Sequence, residues 1–314
     1  MSPPGCPKGE DRYAQREGTP MSEQAYTIVG APQTVLGEGP MWSVRDQVLY
    51  WIDIVSRRIL RLRPETGRVD VRELPYAPSA VIPRTTGGLL LVTKKGMALM
   101  DFDKPEITSI PVQLVDFTQE VFNDAKCDSA GRLWVGTRDL HVSRPTGGLF
   151  CMDTDFSMHR RGDGLVVSNG IAWADHGCVM YHVDSNPGRI DAYDFDLATM
   201  SLSNQRVFRD YAKEGAAAIP DGCAADAEGG LWVAEVGDWH IRRYAPDGRL
   251  DREIRVPFQK PTSVMFGGAG LDTLYVTSMR FGLTDAALAG QPLAGSLLQL
   301  DPGVKGQPEH LFGG

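Results

Sequence analysis

FNDAKCDSAGRLWVGT, residues 122–137, and IPDGCAADAEGGLWVA, residues 219–234, are two copies of one pattern. In each, a polar residue opens a short run of small and apolar residues, a turn follows, and an aromatic-bearing strand closes the copy. The closing half recurs along the chain as RDQVLYWID, RTTGGLLLV, SAGRLWVGT, DHGCVMYHV, AEGGLWVAE and GLDTLYVTS. With the bulky residue of each as anchor, the series is Tyr50, Leu91, Trp134, Tyr181, Trp232 and Tyr275, separated by 41, 43, 47, 51 and 43 residues. A repeat of about 40–50 residues built of short strands has the period of a four-stranded propeller blade.

After most anchors a further strand and turn follow, as in RRILRLRPETG, GLFCMDTD, RIDAYDFDLATM, HIRRYAPDG and SLLQLDPG. Their alternation is that of antiparallel strands, and Gly, Asp and Pro supply the turns. A β-sandwich would need this spacing to be accidental, so the expected fold is all-β, a six-bladed β-propeller over residues 25–314. The ring is expected to close by pairing residues near Tyr26 to Val35 with the last blade, because closure removes an exposed sheet edge. Residues 1–24 read as a disordered tail, with Met21 as a candidate native start.

The composition excludes several classes of function. Basic residues number 32 against 40 acidic ones, a formal net charge of -8, so phosphate backbones and anionic lipid are repelled. No nucleic-acid partner is expected. The N-terminus has no apolar signal region and no run of 18 apolar residues occurs, so no membrane partner is expected either. Five cysteines without a C-x-x-C pair indicate neither a disulfide framework nor a zinc knuckle, which points to a reducing, cytoplasmic location. Oligomeric state is not legible.

Counting back 11 or 12 residues from each anchor reaches Glu38, Ser79, Asn123, Asn169, Asp221 and Ser263. Every one is polar and opens a short apolar or small-residue strand. Singly, an Asp or Asn beside Gly more often shapes a turn than binds anything. In one register on the innermost strands, the six form a ring at one mouth of the central channel. Two carboxylates and two amides among them are hard oxygen donors, suited to Ca²⁺, Mg²⁺ or Mn²⁺.

The same positions carry a resemblance. LGEGPMW, FNDAKCDSAGRLWVGT, SNGIAW, IPDGCAADAEGGLWVA, KPTSVMFGG, LYVTSMR and PLAGSLLQLDPGVKGQPE occur in order between about Val35 and Phe312. They are similar to the motifs of the SMP-30/gluconolactonase/luciferin-regenerating enzyme family. The resemblance implies a divalent metal held by Glu38, Asn169 and Asp221, with calcium the expected ion and magnesium, manganese, zinc or iron as alternatives. It implies that Asn123 contacts substrate or lies near the metal. It also implies a lactonase that hydrolyses a small, sugar-derived lactone. The alternatives are an esterase of a non-sugar cyclic ester and a non-catalytic, metal-binding regulatory propeller.

Two departures concern substrate. Where many sugar lactonases of the family carry an Arg, this chain has Val121, and where a Glu grips sugar hydroxyls it has His141. Both positions are therefore assigned to substrate binding, with recognition of a polyhydroxylated ring weakened. Other residues such as Arg138, Asp139 or Trp239 are then candidates to hold it. Trp239, in a loop after EVGD, either closes over a ligand or shields backbone. Asp221 is the candidate catalytic base, with His141, His182 and His240 as competitors. His182 is expected to pack within its blade, and Cys223, lacking a base motif, to be a structural thiol.

Overall fold

The structure, a computed structural model, describes residues 25–314. The tail expected over residues 1–24 lies outside them. Six four-stranded antiparallel sheets follow one another around a channel. Blade one comprises Gly37–Ser43, Val48–Asp53, Arg58–Arg63 and Arg68–Glu73, counted from the channel outward. Blades two to five repeat this order, with innermost strands Pro78–Pro83, Glu120–Cys127, Ser168–Ala174 and Ile219–Ala225. All six anchors fall on the second strand of their blades, so the period read from the sequence is the blade itself.

Blade six is built from both ends of the chain. Its inner three strands are Pro261–Gly267, Thr273–Ser278 and Leu298–Leu300, and its outermost is Tyr26–Ile28. Tyr26 pairs with Leu300 and Ile28 with Leu298, and Val29 N–H then donates to the Leu297 carbonyl at 2.9 Å. The expected closure is thus found at the start of the segment proposed for it.

Between blades the core is aromatic. Trp42 stacks on Tyr275 across blades one and six with centroids 6.3 Å apart. Trp134 meets Trp173 edge-on at 6.2 Å, and Trp232 meets Phe266 likewise at 6.2 Å. Burial of rings this large is the main stabilising term between sheets that share no backbone ladder. Trp134 and Trp232 also donate their indole N–H groups to the buried Asp128 and Asp226, each at 2.9 Å, which pins the same turn in blades three and five.

The last residues cross the mouth at the C-terminal ends of the innermost strands. Gly306 N–H reaches Leu271 of blade six, and the Lys305 carbonyl accepts from Ala227 of blade five. The Gln307 side chain donates to Asp226, Gly313 N–H to Gly131 and Phe312 N–H to Pro83. Cys127, Cys151 and Cys223 are free and buried. No helix among the described residues is long and apolar enough to cross a membrane.

Candidate functional site

The six polar residues of the ring lie at the N-terminal ends of the innermost strands, where every blade also breaks its register. The ladder skips between Glu38 and Met41, Pro78 and Ala80, Phe122 and Ala125, Ser168 and Ile171, Pro220 and Cys223, and Pro261 and Ser263. Such a bulge inserts one unpaired residue and re-aims the side chains around it. Alternation would otherwise send neighbouring residues to opposite faces of the blade. Glycine follows Asn169 and Asp221 for a packing reason, whereas Gly39 after Glu38 adopts a positive φ of 50°. A Cβ on Gly170 would meet the Asp221 carbonyl at 2.6 Å, and one on Gly222 would meet Ser263 Oγ at 2.0 Å. The strands that carry Asn169 and Asp221 therefore approach the next blade closely because Gly stands beside them.

Glu38, Asn169 and Asp221 converge from blades one, four and five. Asp221 lies close enough to both Glu38 and Asn169 to feel each, and its Oδ1 is buried without a hydrogen-bond partner. Burial holds the Glu38 carboxyl well above the usual carboxylate range, and repulsion from Asp221 and Asp124 adds to it. Asp221 is raised in the same way, by burial first and then by Asp124. Glu38 and Asp124 keep some surface open to the channel, yet protein surrounds them on all sides, and that enclosure governs their titration.

No trio of His, Cys, Asp or Glu among the described residues forms a metal cage by itself. The set at the ring is two carboxylates and an amide, with a third carboxylate below. An orphaned carboxylate oxygen facing mutually repelling acids fits a divalent cation, whose charge would relieve the repulsion and occupy the free oxygen. The approach of two of these strands is fixed from outside. Asp53 accepts from Val35 and Leu36 N–H at 3.0 and 3.2 Å, just before Glu38, and Asp184 accepts from Val166 and Val167 at 3.1 and 2.8 Å, just before Asn169.

Below the ring the channel is nearly filled. A cleft of about 10 Å³, room for about one water, is lined by Gly39, Met41, Ala80, Asp124, Lys126 and Ser263. Lys126 is buried there and donates to the Cys223 carbonyl at 3.1 Å and to Glu309 at 3.2 Å. A larger cavity of about 290 Å³ opens at the far mouth, beside Trp173, His176, Gln307 and His310. It lies at the C-terminal ends of the innermost strands, away from the carboxylates of the ring.

The rim of the near mouth holds the remaining sequence candidates. Asn123 is half-buried and donates from Nδ2 to the Ser168 carbonyl at 2.8 Å. Val121 is buried two residues before it, opposite Arg138 on the next strand. His141 is exposed, its N–H donating to Asp139. Trp239 occupies a positive-φ turn of blade five, with the Arg255 guanidinium 5.2 Å from its ring centroid.

The competing bases are differently placed. His182 is buried within blade four, bonded to Ser168 Oγ at 2.7 Å and pushed down to about 4 by burial, so its ring packs inside the blade as expected. His240 leans on the Asp238 carbonyl at 2.6 Å. Burial raises the Cys223 thiol to about 12, which suits a structural thiol and not a nucleophile.

A family model described as the SMP-30/gluconolactonase/LRE-like region matches residues 36–280, from the entry to Glu38 through the second strand of blade six. The chain belongs to this family. Among relatives, a 6-deoxy-6-sulfogluconolactonase of Pseudomonas putida is 34% identical over 294 residues, covering 94% of this chain and 100% of its own. Two solved structures of the family superpose closely. A luciferin-regenerating enzyme does so with a TM-score of 0.86 at 28% identity, over 92% of this chain and 99% of that one. A calcium-binding regucalcin of Agrobacterium tumefaciens does so with a TM-score of 0.85 at 26% identity, over 92% and 98%.

Within this family member, sequence reasoning missed Asp124, Lys126, Asp53 and Asp184. Asp124 adjoins a ring residue, and Lys126 interrupts an otherwise small and apolar inner strand. Asp53 and Asp184 each stand three residues after an anchor, in two blades whose ring residue is Glu38 or Asn169. That shared offset was the available signal.

Proposed function

We propose that the protein is a divalent-metal-dependent lactonase that hydrolyses a small, sugar-derived lactone to its hydroxy acid. The observation that carries this reading is the partnerless Asp221 Oδ1 facing Glu38 and Asn169 at an open mouth of the channel. Glu38, Asn169 and Asp221 would hold the cation, which, when bound, polarises a carbonyl and makes water more acidic. Asp221 is assigned a second role as base, taking a proton from the attacking water at a carboxylate oxygen. Burial supports this by raising its basicity, although ligation works against it. Asn123 is assigned to the substrate, and Val121, His141 and Trp239 to the wall around it. A sulfonated sugar lactone is among the candidate substrates, because the 34% identical relative is named for one.

A hydrolysis screen over five- and six-membered sugar lactones and simple lactones tests the reading. Each is run with chelator and then with calcium, magnesium, manganese or zinc restored. Turnover that disappears with chelator and returns with one ion is the expected result. Lactone hydrolysis unaffected by exhaustive chelation sinks the metal role, and tight calcium binding without turnover of any ester favours a binding protein.

A further inference from the structure

Two cations stand at the near mouth without a carboxylate of their own. Lys94 lies in the turn between the strands Leu89–Thr93 and Gly96–Met100 of blade two. Its carbonyl accepts from Phe122 N–H at 3.1 Å, which fixes the turn beside Asn123. Its ammonium has no hydrogen bond or ion pair among the described residues. Arg138 stands directly across the ladder from Val121. Opposed residues of an antiparallel pair project to the same face with Cβ atoms about 4.5–5.5 Å apart. The guanidinium therefore rises from the same face as a buried valine two residues from Asn123.

The acid nearest Arg138 is already committed. Asp139 accepts from the N–H groups of His141 and Ser143, from the hydroxyls of Ser143 and Thr146, and from Arg144. Arg138 itself reaches only the Asp139 carbonyl, at 3.0 Å. Arg132 and Arg243, by contrast, are clamped by acids: Arg132 holds Asp128 at 2.8 Å and Arg243 holds Asp226 at 2.6 Å. Backbone geometry puts Lys94 and Arg138 at the same place between blades two and three, because Phe122, which donates to the Lys94 carbonyl, pairs with Thr137, the residue before Arg138. The Lys94 ammonium is held below its usual range by burial first and then by Arg138.

Two half-buried cations at one rim without a carboxylate partner are unfavourable until an anion joins them. Arginine offers a planar fork for two oxygens, and lysine a point charge for a third. On the floor of the same mouth, Glu38 and Asp221 are assigned to the cation that would take the ester end, which leaves the rim cations for an anionic end. An elongated substrate with one anionic end is thereby oriented, charge toward the rim and the other end toward the carboxylates.

We propose that Lys94 and Arg138 form an anion subsite, and that the lactone carries a sulfonate, phosphate or carboxylate remote from its ester. The lactone part of this inference rests on the function proposed above. The anion part rests on the two cations alone.

The test compares gluconolactone with its 6-sulfo, 6-phospho and 6-carboxylate counterparts on the wild type, R138M, R138K and K94M. It measures kcat/KM with the activating ion restored, and calorimetric binding of the corresponding hydroxy acids. The wild type is expected to prefer one anionic lactone over the neutral one at least tenfold, and the preferred group identifies the anion. R138M should cut that ratio about tenfold or more, K94M several-fold, and R138K less than R138M. Equal turnover of neutral and anionic lactones by the wild type, or an equal fall on both in R138M, overturns the subsite. If no lactone is hydrolysed, the lactonase reading fails and binding decides. Tighter binding of a 6-substituted acid that is lost in R138M keeps the subsite, and binding indifferent to the 6-substituent removes it.

Discussion

Asp221 is the residue on which most of the site's behaviour turns. Without a cation its carboxyl titrates above the unfolded value, because burial and Asp124 disfavour the charge. A group raised in the folded state contributes stability below its unfolded pKa and loses it as pH rises through the folded pKa. The metal-free protein is therefore expected to become less stable as pH rises from the acid range toward neutrality. D221N removes that repulsion and should raise the melting temperature in chelator at pH 7. The same variant should abolish the rise that calcium gives the wild type and lower lactone turnover by about 10²–10⁴-fold, the usual range for a lost base. Thermal scans with and without calcium read both effects. If D221N melts lower in chelator at neutral pH, the repulsion is not there.

His182 has the opposite sign. Burial pushes it down to about 4 from an ordinary 6.5, so the unfolded chain binds the extra proton first. Its contribution is fully present above pH 6.5 and is lost as pH falls toward 4, by about 3 kcal/mol in all. H182Q, which keeps a polar partner for Ser168, should therefore narrow its stability deficit relative to wild type across that window in urea unfolding. A deficit independent of pH would show that His182 is not neutral in the fold.

At the scale of the element, the innermost strand does more than line the channel. Its bulge turns the ring residues, and the glycine after Asn169 or Asp221 admits the neighbouring blade. G222A would drive a methyl group into Ser263 and is expected to cost about 1–3 kcal/mol by overpacking. Because the adjacent carboxylate moves with it, calcium affinity should fall as well, measured by titration calorimetry at a temperature where the variant is folded. Loss of stability with unchanged affinity would separate the glycine from the site.

The blades were legible because a short apolar anchor strand recurs every 41 to 51 residues. The ring was legible because equal offset from an anchor means equal height. The bulges were not, since a register slip depends on hydrogen bonds to the partner strand and leaves no mark in residue type. Lys126 was equally hidden, because its partners Cys223 and Glu309 lie 97 and 183 residues away. The rim shares this difficulty: Lys94 and Arg138 come from different blades, and no local pattern announces that they share one rim.

Across the whole molecule, the two mouths are not equivalent. One carries the acids and the cations of the rim, and the other is crossed by the end of the chain. Phe312 is fully buried in that crossing and lies 5.7 Å from Phe156, ring to ring. F312A should cost about 3–5 kcal/mol, as large buried aromatics do. Since the filled channel separates it from Asp221, calcium affinity of the folded variant should stay within about twofold on binding magnitudes of this kind. A large fall in affinity would instead mean that the crossing transmits to the acids.

The outer strand of blade six also sets an order of events during synthesis. Tyr26–Ile28 is among the first described segments to leave the ribosome, and its partner Leu298–Leu300 among the last. At about 5–20 residues per second, roughly 14–54 s separate them. Five blades can assemble in sequence during that interval, each on the one before. Until Leu298–Leu300 emerges the opening strand is an unpaired edge offered to neighbouring nascent chains, and only its docking on that late strand completes the ring.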